Sequence, residues 1–259
     1  MRDYLTVMLL ALLPAAGNML GGVVAEFTTV SQRTLSLALH VAAGVVLAVV
    51  GIELVPEALA VEQPWIPLLT FVMGGAGFIA LEHLIGWVRA RFAAVRAGGR
   101  QDASADRGTA PADVGPWAIY AGVAIDLFSD GVMIGTGSNI GLALGLLLAI
   151  GQVPADIPEG FATTATFKAK DIGRSARLAM LASLVLPILA GATIGFFAVR
   201  DAPELVKVSL LTITAGILVS VAVEEMIPEA HDSGEPKLGP LALTFGFALF
   251  ALIAAYFEG

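Results

Sequence analysis

Eight stretches of about 20 or more mostly apolar residues follow one another along this 259-residue chain. The hydrocarbon core of a bilayer is about 30 Å thick and a helix rises about 1.5 Å per residue, so roughly 20 apolar residues cross it. Inside that core no water is available to the backbone, and a helix satisfies every N–H and C=O within its own segment. The expected spans are 4–25, 35–60, 65–88, 115–137, 140–167, 174–198, 205–229 and 239–257. Turn or charge signals such as EQPWIP, GTGSN, KAKDIGR, VRDAPE and HDSGEPKLGP separate them. Only 14% of the residues are charged, against about 25% in an average soluble domain. The expected fold class is therefore all-α integral membrane, with eight transmembrane helices in a single transmembrane domain over 1–259. The N-terminal stretch resembles a signal peptide, but Asp3 interrupts the basic leader and the next apolar span follows directly. It is read as the first membrane helix.

The basic residues set an orientation. With the N-terminus outside, the inner side holds Arg33, then Arg89, Arg91, Arg96, Arg100 and Arg107, then Lys168, Lys170, Arg174 and Arg177, and finally Lys237. Only Arg2, Arg200 and Lys207 remain outside. The positive-inside rule then predicts a multi-pass protein of a cell membrane with both termini outside the cytoplasm. It also makes the polar segment 89–114, rich in Gly, Ala, Asp and Arg, a flexible cytoplasmic loop. The lipid bilayer is thus the first expected partner. A net charge of −8 argues against nucleic acid and anionic substrates, and the lack of cysteine excludes thiolate metal sites and cysteine nucleophiles.

The second and seventh spans echo each other. IELVPEA at 52–58 and EEMIPEA at 224–230 share E-x-x-P-E-A, yet run in opposite directions across the membrane. FSDG in the fourth span and IPEG in the fifth form a looser pair. An inverted repeat is predicted, of the kind that places a transporter's site near the midplane on interrupted helices.

Nine acidic residues lie inside or at the ends of the spans: Glu53, Glu57, Asp126, Asp130, Asp156, Glu159, Glu224, Glu225 and Glu229. Asp126 and Asp130 are four apart in the fourth span, and Asp156 and Glu159 three apart in the fifth, so each pair shares a helical face. Each charge at the bilayer centre costs roughly 2.5–3.5 kcal/mol. With no cationic side chain well inside the spans, the remaining partners are protons, water and metal ions. A bound cation between the fourth and fifth spans is the expected answer, with Asp126, Asp130, Asp156 and Glu159 as metal ligands. Prolines 56, 158 and 228, each just before a glutamate, free carbonyls that suit cations as well. The competing reading is an intramembrane aspartyl protease with Asp126 and Asp156 as its dyad. Such proteases carry G-x-G-D around one aspartate, which DLFSDG and ADIPEG do not supply. A transporter shows metal-dependent uptake, whereas a protease cleaves without metal.

ADIPEG in the fifth span, DLFSDG in the fourth and EEMIPEAH in the seventh resemble the ZIP family of divalent-metal transporters. The eight spans, outside termini and long inner loop after the third span match that family across essentially the whole chain. The resemblance implies a ZIP-like fold and a transporter rather than an enzyme. A divalent metal ion such as Zn, Mn or Fe would be the substrate. It also implies an elevator-like motion of one helix bundle against another, and a homodimer. In the fourth span the family motif is H-N-x-P-E-G. Here Asp126 takes the histidine's place, Leu127 the asparagine's, Ser129 the proline's and Asp130 the glutamate's, while Gly131 matches. In the fifth, Ala155 replaces a His or Gln, and Asp156, Pro158, Glu159 and Gly160 match. The acids before Gly131 and Gly160, Asp130 and Glu159, are the expected bridging ligands. In the sixth, Leu186 precedes Pro187 where many members carry a carboxylate. In the seventh, Glu224 stands at the family histidine and Glu225 matches the acid after it. Glu57, Glu224, Glu225, Glu229 and His231 are read as pathway residues; for His83 and His231 an exit relay is the alternative to the favoured reading as ordinary interfacial residues. An almost all-oxygen ligand set suits hard ions, so broadened selectivity over manganese, iron and zinc is expected.

Overall fold

The computed structural model describes residues 2–29, 31–97, 116–232 and 236–257, and among these there is no strand. Helix α1 covers Arg2–Phe27. Helix α2, Gln32–Ala48, starts at a Ser31 cap whose hydroxyl accepts the Thr34 N–H, and continues through a π turn, Val49–Leu54, into α3, Val55–Ala60. There follow α4 (Trp65–Ala97), α5 (Pro116–Ile140) and α6 (Leu142–Ala169). The sixth expected span divides into α7 (Arg174–Ser183) and α8 (Val185–Ala198). Helix α9 (Glu204–Val221) runs through a second π turn, Ala222–Met226, into α10 (Ile227–Asp232), and α11 covers Gly239–Phe257. Seven of these stretches are long and apolar enough to cross a membrane, and α4 contributes a shorter apolar helix, Trp65–Ala80.

Three boundaries differ from the sequence reading. Helix α4 continues to Ala97, so residues 89–97 of the expected flexible loop are helical. Their Ala- and Arg-rich sequence is a good helix former even without packing. Residues 98–114 of that loop lie outside the described residues. Between the fourth and fifth spans the chain turns on one residue, the extended Gly141. The sixth span breaks at Leu184 because Pro187 has no N–H for the Ser183 carbonyl.

Proline also explains the π turns. Pro56 and Pro228 leave the carbonyls of Ile52 and Glu224, four residues earlier, without their helical donors, and each π turn contains that residue. The two E-x-x-P-E-A segments thus adopt the same local shape, with Glu53 and Glu225 at matching places in the two π turns. By contrast, α6 stays helical through both Pro154 and Pro158.

The tightest helix pairs are α1 with α6, α5 with α8, α4 with α9 and α2 with α11. Exchanging the first three spans with the last three, and the fourth with the fifth, carries the first pair onto the second and the third onto the fourth. Glycine makes each seam. Cβ atoms at Gly21 and Gly160 would overlap the carbonyls of Ile157 and Asn18, and at Gly131 and Gly191 those of Ile188 and Phe128. Gly74 and Gly216 meet Ile213 and Phe71 in the same way, and Gly44 and Gly246 meet Leu243 and Val41. Without a hydrophobic drive between helices in lipid, such close backbone approach is what holds them.

Two bundles result. One contains α1, α5, α6, α7 and α8, with a core of Val7, Ala11, Leu127, Leu184, Ile188 and Phe196. The other contains α2, α4, α9 and α11. A second cluster, including Val49, Met133, Leu147, Leu211 and Phe250, draws side chains from both and fills the seam between them. Glu26 ties the end of α1 to α7, its carboxylate accepting from Arg177 Nε at 2.5 Å and Nη2 at 2.8 Å. Leu9, Val72, Leu186 and Leu241 are among the large apolar side chains left exposed on the outer faces.

Candidate metal centre

The site lies within the first bundle, where α5 and α6 face each other. One turn of α5 separates Asp126 from Asp130, and α6 brings Asp156 against them. An oxygen from each of the three carboxylates lies within 4.8 Å of the others. Asp130 and Asp156 are 2% and 1% exposed, and Asp126 is half-buried. No lysine, arginine or histidine occurs anywhere from 116 to 167. Two unit charges at such a separation repel by on the order of 3–4 kcal/mol where the effective dielectric constant is about 20. Two buried carboxylates and a half-buried third therefore need protons or a cation between them. Metal–oxygen bonds of about 2.0–2.2 Å place ligand oxygens up to roughly 4 Å apart, so small side-chain rotations close this trio on one ion.

Two amides complete the surroundings, and neither was singled out from the sequence. Gln152, four residues before Asp156 and on the same face of α6, donates through Nε2 to Asp130 Oδ1 and so ties α6 to α5. Asn18 of α1 donates through Nδ2 to Glu159 Oε2 at 3.3 Å. Asn18 Oδ1 and Asp156 Oδ2 are buried and find no hydrogen-bond partner among the described residues. A buried polar atom left unpaired costs about 1–3 kcal/mol, and two in one place mark a site built for something else. The signal for Gln152 was available in its i, i+4 spacing to Asp156. That for Asn18 was its phase on α1, in line with the small buried residues Ala11, Ala15, Gly21 and Ala25.

The structure brings together three of the four expected ligands. Glu159, one turn beyond Asp156, stands outside the trio and is half-buried, held by Asn18. The motif glycines act in packing. Gly160 lets α6 rest on the Asn18 backbone, and Gly131 lets α5 rest on Ile188. The expected pathway residues all belong to the second bundle. Glu225, in the π turn, is close enough to Glu159 for their charges to interact. Half-buried Glu57 interacts similarly with Glu204 at the start of α9. Glu224, Glu229 and His231 are exposed. His231 lies not beside His83 but 5.1 Å, ring centre to ring centre, from buried His40. His83 is exposed and bonds the Ile79 carbonyl of its own helix at 2.8 Å.

No family model matches the chain. Among curated proteins it is 29% identical over 154 residues to the zinc transporter ZIP10 of mouse and to that of human. Those alignments cover 54% of this chain and 18% of the relatives, so the chain spans less than a fifth of their length. It is also 29% identical over 268 residues to the zinc transporter ZupT of Chlorobium phaeovibrioides, covering 97% of this chain and 98% of that protein.

Proposed function

We propose that this chain, a relative of ZIP-type zinc transporters along nearly its whole length, moves divalent transition-metal ions across a membrane through the carboxylates of α5 and α6. The observation that carries the reading is the trio Asp126, Asp130 and Asp156, two buried and one half-buried, mutually within 4.8 Å and with no basic residue from 116 to 167. A desolvated, negatively charged site of this kind attracts a dication and excludes anions. Its relatives are transporters and not enzymes, and a third carboxylate beside Asp126 and Asp156 is one more than a proteolytic dyad uses. All ligand candidates sit in one bundle and all the other intramembrane acids in the second. Movement of the first bundle along the apolar seam would carry a bound ion past Glu57 on one side and Glu225 on the other. Placing the N-terminus outside puts Arg89, Arg91 and Arg96 of α4 and the Glu26–Arg177 pair on the cytoplasmic side, with α4 as the eighth crossing. With Asp126 in place of the histidine that the motif resemblance would put there, the proposed ligands are oxygens, and Zn²⁺, Mn²⁺ and Fe²⁺ are all expected as cargo.

The test is uptake of Zn²⁺ and Mn²⁺ by protein reconstituted in liposomes. Asp130→Ala, at equal insertion, is expected to abolish uptake, because Asp130 is a deeply buried member of the trio. Uptake near the wild-type level by that variant would refute the assignment.

A further inference from the structure

Resting on the metal-transport reading above, we propose that α1 is a third helix of the ion site: Asn18 offers the cation a neutral oxygen through Oδ1 while its Nδ2 holds the Glu159 carboxylate. The orientation of the amide follows from its neighbour, since only the –NH₂ end can face a carboxylate oxygen at 3.3 Å. Oδ1 must then point away from Glu159, and there it is buried without a donor. An asparagine that served only to bind α1 to α6 would engage both ends; this one engages one. Its position is set by the backbone and not by a mobile side chain. Gly160 of α6 rests directly on the Asn18 carbonyl, and a Cβ on Gly17 would stand 3.5 Å from Asp156 Cβ. Asn18 is therefore locked beside the turn of α6 that carries Asp156 and Glu159. Asp156 Oδ2, the other orphan acceptor of the site, is on that same turn.

The trio alone under-coordinates an ion that takes four to six ligands; Gln152 also donates through its amide nitrogen, but its Oε1, unlike Asn18 Oδ1, is not among the buried oxygens without a partner. An amide oxygen supplies a further hard ligand without adding negative charge to three carboxylates. A fourth anionic ligand would hold the dication harder and slow its release. A neutral oxygen also favours Mn²⁺ relative to a site completed by imidazole.

The experiment is titration of the purified full-length protein with Mn²⁺ and with Zn²⁺, reading affinity and the metal-induced rise in melting temperature. The variants are Asn18→Leu, Asn18→Asp and, as control, Asp130→Ala. Asn18→Leu is expected to change the metal-free melting temperature little, because removal of an unpaired buried oxygen offsets loss of the hydrogen bond to Glu159. Its Mn²⁺ affinity should weaken by at least about tenfold and most of the metal-induced rise should disappear. Asn18→Asp, of the same size with a charged oxygen, should bind Mn²⁺ more tightly than wild type. Wild-type Mn²⁺ affinity in Asn18→Leu would overturn the proposal. So would weaker binding by Asn18→Asp, and this second variant decides the matter if the leucine variant does not fold. If Asp130→Ala itself binds like wild type, it is the transport site that fails, whatever Asn18 does.

Discussion

At the scale of single residues, the chemistry turns on Asp126. It is the half-buried member of the trio and, by the motif resemblance, corresponds to a histidine of the ZIP family. Carboxylate oxygen suits manganese and similar hard ions, whereas imidazole suits zinc, although affinity at any fixed ligand set still rises from manganese towards copper. Asp126→His is therefore expected to raise the ratio of Zn²⁺ to Mn²⁺ uptake several-fold, measured by competition between the two ions in liposomes. An unchanged ratio would mean that Asp126 does not touch the ion. Asp130 and Asp156, more deeply buried, should be intolerant of neutral replacements altogether.

At the scale of helices, glycine seams place the site. A methyl on Gly160 would overlap the Asn18 backbone and force α6 away from α1. Gly160→Ala should lower stability by about 1–3 kcal/mol, the usual range for overpacking, and should weaken metal binding as well, because Asn18 and Glu159 separate. Gly122, in α5, has nothing within 4 Å of its would-be Cβ. There the same substitution should be neutral or stabilising by up to about 1 kcal/mol through helix propensity. Thermal melts of the two variants check both. Much of this element structure was legible beforehand. Runs of 20 apolar residues marked where the seven helices long and apolar enough to cross a membrane lie, and i, i+4 and i, i+3 spacing put Asp126 with Asp130 and Asp156 with Glu159 each on one helical face. The π turns were not legible, because an apolar helix keeps its composition when it widens; the prolines at 56 and 228 marked the place without specifying the shape. Asn18 was missed for a related reason. A lone amide in an apolar helix makes no pattern by itself, and its meaning came from what Gly160 packs against it. Glu159 was expected to bridge because its motif matches that of Asp130; its carboxylate lies outside the 4.8 Å trio, yet close enough to Asp126 and Asp130 of α5 for their charges to interact.

For the whole molecule, the E-x-x-P-E-A echo extends to the packing itself, since the helix pairs exchange under the same swap that relates the two sequences. The proposed ion ligands fall on one bundle and the π turns with Glu53 and Glu225 on the other. On the proposed function, binding is a property of one bundle and passage a property of both. A substitution in the second bundle such as Glu225→Gln should slow uptake while leaving equilibrium affinity for Mn²⁺ within about threefold of wild type. A loss of binding equal to the loss of transport would place Glu225 in the ion's own shell.

The claim underlying all of this is that a dication occupies the buried carboxylates of α5 and α6. Carboxylates must be deprotonated to ligate, so binding competes with protons and affinity falls as pH decreases. Calorimetric titration of the purified protein with Mn²⁺ from pH 7.5 to pH 5.5, in buffers of differing ionisation enthalpy, measures both affinity and protons released. Saturable binding is expected at the higher pH, with affinity declining steadily towards pH 5.5 and with binding lost in Asp130→Ala. Affinity that stays flat across that range, or equal binding by Asp130→Ala, would contradict it.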